Sequence, residues 1–179
     1  LAERARNAEV RGGLKCRRAA TGRISGDSVS TGADGEVVFV VDKDAVLVRR
    51  GSELSIFKTG LRIVSGALLS VFGGGRRQLR TPTATIGIRG TAVYLEVDPS
   101  RTYVCTCYGE AVLEPLGDPA SRETVRTLHH EQPRYIMAQG APQMIMPAPV
   151  VNHTDAELVF LESLVGREPP FVGKGFQPY

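Results

Sequence analysis

The sequence predicts an all-β fold of the β-helix or β-roll kind, with a β-sandwich as the alternative and one short C-terminal helix. Two observations carry this. Between residues 23 and 137, apolar runs of 4 to 6 residues recur with only 2 to 4 residues between them, too short for helices, which need about 10 or more. Turn dipeptides such as Asp34-Gly35 and Ser65-Gly66 divide the runs. A third points to the helix: helical periodicity occurs once, after residue 153.

The elements follow in order. Val37-Val38-Phe39-Val40-Val41 and Ala45-Val46-Leu47-Val48 read as strands flanking Asp42-Lys43-Asp44. Leu54-Ser55-Ile56-Phe57, Leu61-Arg62-Ile63-Val64 and residues 67–72 continue the pattern, and Gly73-Gly74-Gly75 opens a loop with Arg76 and Arg77 at its edge. Residues 84–97 form a long apolar stretch with Gly87 and Gly90 inside it, and interior glycines mark a bulge or bend. Residues 102–108, 110–114, 123–130 and 133–137 read as further strands, with Tyr108-Gly109-Glu110 as a hairpin tip. Residues 140–152 form a Pro/Met-rich linker. Thr154-Asp155-Ala156-Glu157 is a capping box, in which hydroxyl and carboxylate satisfy each other's backbone donors. Ala156, Leu158, Val159, Leu161, Leu164 and Val165 then recur at helical spacing up to Gly166. So short a helix must dock its stripe on the sheet. The expected organisation is a leader over 1–21, a β-domain over 22–139, the linker, and a helix with an extended tail over 153–179.

Composition narrows the function classes. The chain has 179 residues, net charge +3, 42% hydrophobic and 23% charged residues, which excludes a disordered or collagen-like chain. Positive charge resides in 18 Arg and 4 Lys, scattered without a basic block, and stacking aromatics are few, so nucleic acid is not an expected partner. No run approaches the ~20 apolar residues of a membrane span. Residues 1–20 are Arg-rich without an apolar centre, so no signal peptide is read there.

The stretch Thr81-Pro82-Thr83-Ala84-Thr85-Ile86-Gly87-Ile88-Arg89-Gly90-Thr91 resembles the signature of the FecR domain. Gly26-Asp27-Ser28-Val29-Ser30-Thr31-Gly32 looks like that family's opening strand and turn, and Tyr108-Gly109-Glu110-Ala111-Val112 like its closing hairpin. The resemblance covers about residues 22–115. It implies an extracytoplasmic or periplasmic all-β module of the β-helix or roll type, related to anti-sigma regulators that relay iron-siderophore transport. Sigma-binding helices and a membrane span are missing from this chain, so the expectation is a non-catalytic envelope binding or sensing module with a protein or glycan partner. From the residues themselves, Gly87, Arg89, Gly90 and Thr91 are expected to form a structural corner, with the Arg89 guanidinium donating to carbonyls or a carboxylate.

The alternative function rests on soft donors. Cys105-Thr106-Cys107 lies in an expected strand, so both thiols share a face. Their Cα atoms would stand about 6.6–6.8 Å apart, at the edge of disulfide range but suited to one ion. The expected metal set is Cys105, Cys107, His129 and His130, with His153 as a further nitrogen donor and only one of the adjacent histidines on the site's face. A soft metal or haem is the implied cofactor, against core thiols or a disulfide, strained or with Cys16. His153 is expected as a partly exposed helix-entry residue. No G-x-S-x-G, H-E-x-x-H, P-loop or G-x-G-x-x-G motif is present, so no enzyme is expected.

Overall fold

The structure, a computed structural model, describes residues 8–11 and 26–179. It is all-β with one helix. Strands β1 (Ala8–Arg11), β2 (Ser28–Thr31), β3 (Val37–Val41), β4 (Asp44–Val48), β5 (Glu53–Phe57), β6 (Gly60–Val71), β7 (Arg76–Arg80), β8 (Ala84–Val97), β9 (Arg101–Pro115), β10 (Glu123–Thr127), β11 (Arg134–Met137) and β12 (Ile145–Pro147) form one 12-stranded sheet, followed by α1 (Asp155–Leu164). Every pairing is antiparallel except β6 with β7. The sheet is therefore a roll and not a stack of parallel coils.

The long strands change neighbours halfway. The first half of β6 lies between β5 and β7, and its second half between β4 and β8. The first half of β8 pairs β7, and its second half pairs β6. One face of this creased sheet closes on itself around Val29, Leu54, Ile63, Leu79, Ile86, Leu95, Leu113 and Ile136. The other face, with Leu47, Leu69, Val71, Ala92, Tyr94, Cys105 and Cys107, is covered by Leu158 and Leu161 of α1 and by Phe171.

The crease reverses which side chains face inward. In β8, Ile86 and Ile88 point to the inner core, but beyond the irregularity at Arg89–Ala92 it is Val93, Leu95 and Val97. In β9, Val104 points inward while Cys105 and Cys107 face α1, and after Gly109 it is Ala111 and Leu113 that point inward. Strand alternation has period two, so one extra residue moves the whole pattern to the opposite face. The extra residue of β8 lies between Arg89 and Ala92 and that of β9 between Thr106 and Tyr108, flanked by Gly90 and Gly109 with φ of +58° and +92°, values that L residues rarely adopt.

Several expectations change here. Residues 102–114 are one strand, so Tyr108-Gly109-Glu110 is a bulge and not a hairpin tip. Residues 61–71 are likewise one strand through Gly66. β7 emerges where only a loop edge was read, and β12 lies within the expected linker. Arg89 is exposed and Gly87 sits in regular pairing with Gln78 and Val112. The corner is held by Thr91, whose hydroxyl donates toward the Glu110 and Arg89 carbonyls at 2.8 and 3.0 Å and accepts from the Glu110 amide at 3.2 Å. Four residues of the expected leader form β1, paired with β2. Among the described residues, no helix is long and apolar enough to cross a membrane.

Candidate metal centre

The outer face of β9 carries Cys105 and Cys107, both fully buried free thiols. β10 leaves its pairing with β9 after Thr127, and the chain turns back through His130 at φ +58°. That turn is fixed by Glu131, whose carboxylate accepts from the Leu128 and His129 amides at 2.8 and 3.1 Å. The His130 amide donates to the Cys107 carbonyl at 3.0 Å, which anchors the turn to the cysteine strand. His153 arrives from the other side, between Asn152 at φ +57° and the helix cap Thr154. Two non-glycine residues in left-handed backbone beside one cluster, each costing about 1–3 kcal/mol, mark a place where geometry is held against local preference.

Cys105, Cys107, His130 and His153 place one donor atom each within 4.8 Å of one another, and all four are buried. Cys105 Sγ is 3.4 Å from His130 Nδ1, and His130 Nδ1 is 3.0 Å from His153 Nε2. With Zn–S of about 2.3 Å and Zn–N of about 2.0–2.1 Å, a tetrahedral site needs S···N near 3.6 Å and N···N near 3.4 Å. These two separations fall short of that geometry by about 0.2 and 0.4 Å.

The outward-facing ring nitrogens decide the proton positions. His153 Nδ1 is 2.6 Å from the Val151 carbonyl, which can only accept, so this nitrogen carries the hydrogen. In the neutral ring, Nε2 then presents a lone pair. His130 Nε2 donates to Asp155 Oδ1 at 3.0 Å, so a neutral His130 presents a second lone pair at Nδ1. Two lone pairs 3.0 Å apart in a dry interior repel unless a cation stands between them, either a proton or a metal ion. A carboxylate and a backbone carbonyl behind the two imidazoles is the outer-shell arrangement of metal-bound histidine.

The electrostatics agree in direction. The Cys107 hydrogen bond, helped by His130 and His153 and opposed by burial, brings the Cys105 thiol down to about 4. Burial and the neighbouring Cys105 push Cys107 up. Burial would lower His130, but hydrogen bonds and charge from Cys105 and Asp155 outweigh it and raise its pKa. Burial raises Asp155 too, and its bonds to His129 and His130 reverse the sign.

His129 stands apart from this set. Its Nε2 contacts both Asp155 oxygens at 2.9 and 3.0 Å and is not among the donors that converge with the thiols. A second grouping, His129, His130 and Asp155, also converges. Its atoms, however, already satisfy one another as hydrogen bonds, with both imidazoles on the one carboxylate. The structure thus unites Cys105, Cys107 and His130 of the expected donors and brings His153 where His129 was expected. His153 is buried and stacked on Tyr94, rings 4.6 Å apart, and not a partly exposed entry residue. A sequence signal for this existed: the residue before a helix cap folds back toward the fourth helical residue, here Leu158 in the covered core. Cys16 lies outside the described residues.

Cys105, His130 and Asp155 also stand in the order of a nucleophile, base and orienting acid. The thiol is fully buried, and two surface hollows, one around Arg122 and Gln143 and the other around Arg49 and Asn152, are lined by other residues than these three. Four donors within 4.8 Å likewise leave room for an ion and not for a porphyrin.

No protein-family model matches the sequence, and no curated protein does. The fold does have solved counterparts. Two crystal structures of a "putative anti-sigma factor" from Parabacteroides distasonis ATCC 8503 superpose with TM-scores of 0.55 and 0.54, at 11% identity, over 68% of this chain and 58% of that one. The likeness is one of fold. This chain spans a little over half the length of that protein.

Proposed function

We propose that this chain is a non-catalytic regulatory module organised around one buried Zn²⁺, held by Cys105, Cys107, His130 and His153. What carries the reading is the pair of inward ring nitrogens, 3.0 Å apart beside two thiols, with each imidazole held from behind by an acceptor. Two thiolates and two neutral imidazoles make a divalent ion electrically neutral in place. A monovalent ion would leave a buried net charge, which is expensive. A tetrahedral S₂N₂ donor set favours Zn²⁺ among common divalent ions, and four protein donors leave no open position for catalysis. The fold shared with the Parabacteroides protein and the FecR-like signature support the regulatory part, and an extracytoplasmic placement with an envelope protein or glycan partner is part of the same proposal.

Titration of the reduced protein with Co²⁺ tests the centre. One equivalent per chain should bring thiolate-to-metal charge-transfer absorption and the strong visible bands of tetrahedral cobalt, and Zn²⁺ should then displace it. Absence of a stoichiometric complex would remove the proposal. Asp155→Asn should lower Zn²⁺ affinity about 10–100-fold, read by competition with a chromophoric chelator. An unchanged affinity would take Asp155 out of the outer shell.

A further inference from the structure

We infer that the metal ion is the clasp that docks residues 150–179 on the sheet, so that its occupancy decides whether this segment is packed or free. The inference rests on the metal reading above and adds its regulation.

Three of the four donors belong to the β-roll or to the turn anchored on it, while His153 belongs to the C-terminal segment. His153 and His130 lie 23 residues apart in sequence, and His130 and Cys105 lie 25 apart, so one ion ties together three separate stretches of chain. The outer shell is shared in the same way. Asp155 is the first residue of α1 and holds His129 and His130 of the turn. Its amide donates to the Tyr179 carbonyl at 3.2 Å, and its carboxylate accepts from the Tyr179 amide at 3.3 Å. Phe171 and Phe176 lie against the His129 ring at 4.8 and 4.7 Å. Helix start, tail end and histidine turn therefore meet at one carboxylate.

Without an ion, packing and polar contacts alone hold this docking. α1 has 10 residues, too few to persist in water alone. Its apolar contribution is Leu158, Leu161 and the partly buried Leu164, joined by Phe171 of the tail, and the ties to the sheet are Arg49–Glu157 at 2.7 Å, the buried Glu162 on the Tyr108 hydroxyl and Arg167 on the Lys43 carbonyl at 2.6 Å. Against these stands the cost of holding the four donors together in a dry core with only a proton between the two ring nitrogens. The inner core contains no residue of 150–179, so undocking of the segment leaves the contacts of that core in place.

Binding coupled to docking is reciprocal: the ion strengthens docking by the same factor by which docking strengthens ion binding. Leu161→Ala removes apolar contact without touching a donor, and it should lower Zn²⁺ affinity about tenfold. Hydrogen exchange of the Zn²⁺-loaded and chelator-treated protein supplies the second readout. Chelation should speed exchange in residues 150–179 at least tenfold and open Arg167 and Lys174 to trypsin, while the β6–β8 pairing stays protected. Three results would overturn the inference. Zn²⁺ could bind stoichiometrically with no change in exchange over 150–179. Leu161→Ala could leave affinity unchanged. Chelation could release β6–β8 as well, making the ion a condition of the whole fold. Failure to bind Zn²⁺ at all would instead remove the metal reading beneath it.

Discussion

Cys105→Ser is expected to lower Zn²⁺ affinity about 100–1000-fold while leaving the β-roll folded. Structural zinc binding is worth about 10–16 kcal/mol over four donors, so one thiolate accounts for about 3–4 kcal/mol of it, which is the fold-change given. Serine keeps the size of the side chain but offers a hydroxyl that stays protonated. Cys105 is fully buried on the outer face and belongs to the cluster beneath α1, not to the inner core. Chelator competition gives the affinity, and far-ultraviolet circular dichroism checks that the strand signal is unchanged. Wild-type affinity in a folded Cys105→Ser protein would show that the thiol is not a ligand.

Gly109→Ala is expected to destabilise the protein by about 2–4 kcal/mol, combining left-handed strain with overpacking. For a chain of this size that lowers the melting temperature by roughly 5–15 °C. A Cβ here would lie 2.8 Å from Thr91 Oγ1 and 3.0 Å from the Gly90 carbonyl, on backbone at φ +92°. Gly140 is the matched control, with the same φ of +92° and open space around it. Gly140→Ala therefore carries only the conformational part, about 1 kcal/mol. The difference between the two melting temperatures isolates the contact with Thr91. Equal shifts would mean that Thr91 does not stitch the two bulges together. Metal affinity should fall with Gly109→Ala as well, since Cys107 is two residues away on the strand that the bulge orients.

Much of the fold was legible because its signals are local. Short apolar runs between turn residues fix strands without knowledge of their partners, and the Thr154–Glu157 box with Gly166 bounded the helix to within a residue. The roll itself was not legible in detail. Gly66 and Gly109 looked like breaks between elements, while Gly90 was read as a bulge or bend inside one stretch; a bulge and a turn use the same residue type, and only the pairing of distant strands tells them apart. Arg89 illustrates the opposite error: a side chain with five donors invites a buried role, but the reversal of face around Gly90 leaves it at the surface. The shared face of Cys105 and Cys107 followed from strand period alone. Which histidine joins them did not. His129 and His130 do not continue a strand, because His130 turns the backbone, and His153 reaches the cysteines only through the docking of a helix 23 residues further on.

The matched bulges in β8 and β9 also constrain how this chain can change length. Adding or deleting one residue in either strand on the cysteine side of Gly90 or Gly109 would rotate donors into the inner core and aliphatic side chains toward the helix. A compensating change in the opposite strand would be required to restore the phase. Loops at the ends of this hairpin are free to grow, whereas its middle counts residues two by two.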